Sequence, residues 1–88
     1  MGSVAVLFRL MPEGVETDLQ AVGTAVRGAV PATATLRGMQ VKDIAYGLKA
    51  LLVSVVMPDT EGILGEVESA LGKIPHVASV EVMEEGLV

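Results

Sequence analysis

Cysteine, tryptophan and asparagine are all missing from these 88 residues, and one phenylalanine and one tyrosine make up the aromatic complement. Without cysteine there are no disulfides, no thiolate nucleophile and no Cys-ligated metal or iron–sulfur site. That absence suits a reducing, cytoplasmic compartment. Scarce aromatics argue against an RNA-recognition surface, which stacks bases on strand aromatics. The lack of asparagine removes an acylphosphatase-like phosphate site, which needs an Arg and an Asn. The single histidine, His76, follows Pro75 in a turn and reads as solvated, since a metal site needs clustered ligands. Basic residues are few: six Lys and Arg against eleven Asp and Glu, a formal charge of −5. Such a balance disfavours a nucleic-acid backbone and favours a protein with a basic surface. The longest apolar run, residues 50–57, falls far short of the roughly 20 residues that cross a bilayer. No basic stretch precedes an apolar one near Met1, so neither a signal peptide nor a membrane partner is expected. Nothing clusters as nucleophile, base and oxyanion donor, which points to a binding protein without a cofactor rather than an enzyme.

Apolar residues, by contrast, are plentiful at 51%, enough for one compact domain over residues 1–88. Val4 to Met11 alternates as a strand, with Val4, Val6, Phe8 and Leu10 on one face, and Pro12-Glu13-Gly14 stops it. Thr17-Asp18-Leu19-Gln20 reads as a capping box before an apolar helical repeat at Leu19, Val22, Val26 and Val30, which Pro31 ends. Thr33 to Lys42 is a weaker strand in which Gly38 suggests a bulge. Residues 43–47 read as a connection. Leu48 to Met57 is apolar on both faces and expected at the centre of a sheet. Pro58-Asp59-Thr60 supplies N-cap candidates for a second amphipathic helix through Ile63, Val67, Leu71 and Ile74. Pro75 ends it, Val77 to Met83 alternates again, and Glu84 to Val88 reads as a tail. Met11, Met39, Met57 and Met83 are taken as packing residues.

The order β-α-β-β-α-β with right-handed crossovers predicts an α+β, ferredoxin-like sandwich. Both helices should cover one face of a four-stranded antiparallel sheet, with the first and third strands central. The other face would carry Leu7, Arg9, Leu52, Ser54, Val56 and Ser79, a mixed surface able to meet a partner.

A fold of this kind hosts many functions, so function must be read from sites. Gly62, at the start of the second helix, is compatible with a small-molecule-binding regulatory domain of ACT type, which shares the fold. Glu81, Glu84 and Glu85 form an acidic stretch that is either a solvated strand end or a surface for a basic partner. The segment Ile44-Ala45-Tyr46-Gly47-Leu48-Lys49 places an aromatic in a tight connection beside a charge on an apolar strand. It fits a protein-binding anchor, or a packed tyrosine with a lysine whose stem lies along apolar surface.

The run Ile44-Ala45-Tyr46-Gly47-Leu48-Lys49-Ala50-Leu51, with Val53 to Asp59, Met11-Pro12-Glu13 and the segment Glu66 to Val82, resembles the archaeal elongation factor 1-beta family over essentially the whole chain. The resemblance implies a guanine-nucleotide exchange factor for the GTPase elongation factor 1-alpha. It also implies a contact role for Tyr46, a turn permitted by Gly47, and a basic position at Lys49. In eukaryotic relatives a C-terminal basic residue approaches the Mg²⁺ site. Here Met83 to Val88 holds no Lys or Arg, and Glu84 or Glu85 is the group that could instead compete for Mg²⁺ or for a phosphate-loop lysine. Self-association is left open.

Overall fold

The computed structural model describes residues 2–88, and the elements follow the chain as β1 (Ser3–Pro12), α1 (Leu19–Ala29), β2 (Thr35–Ala45), β3 (Leu48–Pro58), α2 (Ile63–Gly72) and β4 (Val77–Leu87). All neighbouring strands run antiparallel in the order β2-β3-β1-β4. The two strands richest in Val and Leu are therefore central, as expected, and the architecture is ferredoxin-like.

The core lies between the sheet and the helices. Along β1 burial alternates without exception: Val4, Val6, Phe8 and Leu10 are buried and their neighbours half-buried. Leu51, Val53, Val55 and Met57 of β3 lie on the same face, in register with β1. Val22 and Val26 of α1, Val67 and Leu71 of α2, and Ile74 close over them. Each side chain removed completely from water here contributes about 1.5–3 kcal/mol. Both helices cross only this face, because β1-α1-β2 and β3-α2-β4 are crossovers of the same hand.

Several local expectations change. The cap of α1 is Asp18 rather than Thr17: its carboxylate accepts from the Gln20 amide at 3.0 Å and from the Ala21 amide at 3.4 Å. Asp is at least as good a cap as Thr, and one position later it reaches two free amides. Helix α1 stops at Ala29, with Val30 already extended, since a residue before proline is pushed out of the helical region. None of Asp59, Thr60 or Pro58 caps α2. Its N-cap is Gly62 at φ 91°, with no side-chain cap, a left-handed backbone that glycine adopts without steric cost. Strand β2 begins and ends later than expected, at Thr35 and Ala45, and the connection after it shrinks to Tyr46-Gly47. The bulge beside Gly38 is present, at Arg37 between the Leu36–Val55 and Gly38–Ser54 pairs. Strand β4 does not end at Met83 but runs to Leu87, because β1 offers partners as far as Val4. Met57 is buried and Met11 and Met39 are half-buried, whereas Met83 is exposed and lies outside the core.

Candidate functional site

Ala45 pairs with Leu48, so the β2–β3 loop is two residues long. Both loop residues have positive φ, 52° at Tyr46 and 80° at Gly47. This is the signature of a type I′ turn, whose twist matches that of the flanking strands and which favours Asn, Asp or Gly at the first position. A bulky aromatic there is an outlier, and Tyr46 packs against nothing: its relative exposure is 103%. Of the two readings left open by the sequence, the packed tyrosine is excluded. The hairpin also overhangs the sheet. Beyond the Leu10–Leu51 pair its strands bond to each other through Lys42–Ala50, Asp43–Lys49 and Ala45–Leu48. Lys49 is exposed, with its ammonium 3.9 Å from the Asp43 carboxylate directly across the hairpin. An exposed pair of this kind contributes little to stability.

Glu84 and Glu85 sit elsewhere. Glu84 is opposite Leu7 and Glu85 opposite Val6, so the two carboxylates project to opposite faces of the sheet. Leu7 is in turn opposite Ser54, six residues along β3 from the hairpin turn. At about 3.4 Å per residue the acidic pair lies about 20 Å or more from Tyr46. The sequence-derived site residues thus form two separate groups: Tyr46, Gly47 and Lys49 at the hairpin end of the sheet, and Glu84 and Glu85 in the last part of β4, opposite the middle of β1.

Between them is the uncovered face. Leu7, Arg9, Leu52, Ser54 and Val56 are half-buried on it by their cross-strand neighbours, and Ser79 is exposed at the β4 edge. Arg9 donates from Nη2 to Glu81 at 2.8 Å, and its Nε is buried without a hydrogen-bond partner.

Two features of the hairpin end were missed by sequence reasoning. Val15, Val41 and Ile44 are exposed there alongside Tyr46. An isolated valine inside Glu13-Gly14-Val15-Glu16 was the available signal for the first. His76, correctly expected to be exposed, is the other non-glycine residue at positive φ, 70°. Its Nδ1 lies 3.2 Å from Glu13 Oε1, while the Glu13 amide donates to its carbonyl at 3.0 Å. Among the described residues no group of three or more His, Asp or Glu could hold a metal ion, and no helix is long and apolar enough to cross a membrane.

Comparison with known proteins concerns the chain as a whole. Residues 5–87 match the family described as the EF-1 guanine nucleotide exchange domain. A protein of Methanoculleus marisnigri named Elongation factor 1-beta is 47% identical over 88 residues, covering all of both chains. Proteins of the same name from Methanococcoides burtonii (41% identical, 98% of this chain and 97% of the relative) and Halobacterium salinarum (35%, 98% of each) are also similar. Among solved structures, the C-terminal domain of the MgtC protein from Mycobacterium tuberculosis superposes with a TM-score of 0.53 at 19% identity, over 100% of this chain and 88% of that one. That likeness concerns the fold alone.

Proposed function

This chain belongs to the EF-1 guanine nucleotide exchange domain family, which serves nucleotide exchange in translation elongation, and on that premise we propose that it promotes GDP release and GTP reloading on elongation factor 1-alpha through the hairpin end and the β4 end together. It acts as one exchange unit over its whole length and performs no bond chemistry. Its affinity for the nucleotide-free GTPase exceeds that for the GDP form, and this difference drives release. By linkage, nucleotide and exchange factor weaken each other's binding.

The observation that carries this reading is Tyr46. Holding an L-residue in the left-handed region costs about 1–2 kcal/mol, and a fully exposed ring returns none of it through packing. Gly or Asn would serve the turn better, so the aromatic is explained by contact outside the chain. Gly47 supplies the second left-handed residue of the turn. Lys49, tied to Asp43, supports the contact from the arm of the hairpin.

The β4 end supplies the second contact. Residues 83–88 carry no Lys or Arg, and through this end the exchange factor disturbs the switch or phosphate-loop backbone that holds GDP and Mg²⁺. Glu84 and Glu85 cannot act as a pair on one ion, since they face opposite sides of the sheet. Glu84, sharing the open face with Arg9 and Glu81, is the better placed to meet a phosphate-loop lysine.

The regulatory-domain alternative has no comparable support. The cavity beside the β3–α2 turn, lined by Asp59, Thr60 and Leu64, measures about 40 Å³, room for one water and not for an amino acid.

The direct test is release of a fluorescent GDP analogue from purified elongation factor 1-alpha. Acceleration at substoichiometric amounts supports the reading, and an unchanged release rate with a matched GTPase contradicts it.

A further inference from the structure

Four of the exposed large apolar residues, Val15, Val41, Ile44 and Tyr46, belong to the same end of the molecule, and two of them share a cleft. Between the β1–α1 loop and the hairpin arm runs an open groove of about 400 Å³ whose walls include Val15, Leu19, Val41, Gly47 and Lys49. Val15 is 64% exposed and Val41 49% exposed. The local fold does not account for Val15. It stands three positions before the N-cap Asp18, so it is not the apolar residue at the position before the cap that staples a helix start to its first turn.

The two charged residues that line the groove, Asp18 and Lys49, are both engaged within the chain. Lys49 is matched by Asp43 across the hairpin at 3.9 Å. Asp18 caps α1, and Glu13 and Glu16 line the adjoining cleft, which shares Gly14, Thr17 and Asp18 with the groove and in which Glu13 faces His76. Glu16 is exposed, and it takes part in none of the ion pairs formed among the described residues. The groove thus sets two exposed valines in a lining of mixed polarity, with the carboxylate of Glu16 in the adjoining cleft.

We propose that this groove receives an apolar side chain of elongation factor 1-alpha flanked by a lysine or arginine, so that the GTPase is gripped by the β1–α1 loop as well as by Tyr46. The proposal rests on the hairpin end being a contact surface for that GTPase. Continuity with Tyr46 makes the groove the inner part of one patch, in which Tyr46 reaches outward and Val15 and Val41 form the socket. The free carboxylate of Glu16 beside the groove favours a basic flank over an acidic one.

The test is a titration of GDP release from elongation factor 1-alpha by the parent protein and by Val15→Ser, Glu16→Lys and Tyr46→Ala. Val15 and Glu16 are exposed loop positions, so their variants should keep the circular dichroism spectrum of the parent. Val15→Ser should raise the half-saturating concentration about tenfold. Glu16→Lys should raise it severalfold at low salt, with the difference shrinking at high salt. If both titrate like the parent while Tyr46→Ala is weakened, the groove is empty in the complex and the inference is overturned with the Tyr46 contact intact. If all three titrate like the parent, the hairpin-end contact fails and takes the groove with it.

Discussion

The two ends of the sheet solve opposite problems. At the β4 end, backbone pairing continues to the edge of β1: Val4 bonds to Leu87 and the Val88 amide donates to Ser3 at 2.9 Å. A bulge at Met83, like the one at Arg37, lies on an edge strand, where it blunts unwanted pairing. At the hairpin end the chain accepts strain. Tyr46 and His76, the two non-glycine residues at positive φ among those described, are both found there, with exposed Val15, Val41 and Ile44. Both ends expose apolar side chains, Leu87 and Val88 at one and Val15, Val41 and Tyr46 at the other; what sets the hairpin end apart is the left-handed backbone held by bulky residues. Strain that the surrounding fold does not require is how contact surfaces differ from scaffolds.

Deleting the core that both ends share should abolish the contrast. Phe8→Ala removes a fully buried ring and is expected to cost about 3–5 kcal/mol, enough to unfold much of so small a domain. Chemical denaturation should show stability and exchange lost together. Tyr46→Ala should separate the ends, weakening binding to elongation factor 1-alpha by about 1–3 kcal/mol with no loss of stability. Calorimetric titration and thermal melting read the two quantities.

Those two positions also mark what the sequence made legible. Phe8, the central strands and the element order followed from apolar periods of two and of 3.6 residues, because burial on one face imposes them. Tyr46, Gly47 and Lys49 were singled out because an aromatic beside glycine in a short connection is unusual, and because the family resemblance runs through the same segment. The exposure of Tyr46 was not legible, since a buried tyrosine reads the same way. Nor was the fate of Glu84-Glu85-Gly86. Charged residues and glycine lack strand character, and only partnership with β1, distant in sequence, makes them a strand. The opposite orientation of the two glutamates follows from pairing that no local pattern encodes. Val15 went unremarked because one apolar residue in a polar loop carries no period.

Smaller changes sharpen the comparison. Asp18→Ala removes the cap of α1 at the hairpin end and should cost about 0.5–2 kcal/mol in denaturant unfolding. Arg9→Gln, on the open face between the ends, breaks the 2.8 Å pair with Glu81. Since both groups are partly exposed, the expected loss is about 0.2–1 kcal/mol. A double variant Glu84→Ala, Glu85→Ala should melt near the parent temperature yet slow GDP release at saturation. Full-rate exchange by that variant would remove the β4 end from the account.

The central claim is that Tyr46 serves a partner at the expense of its own turn, and Tyr46→Asn tests it most directly. Asparagine suits the first position of a type I′ turn, so the variant should fold at least as stably as the parent. The decisive measurement is its titration of GDP release from elongation factor 1-alpha. A half-saturating concentration raised about tenfold or more, in a protein at least as stable, is what the account predicts. Exchange indistinguishable from the parent would contradict it and leave the strained tyrosine without a function.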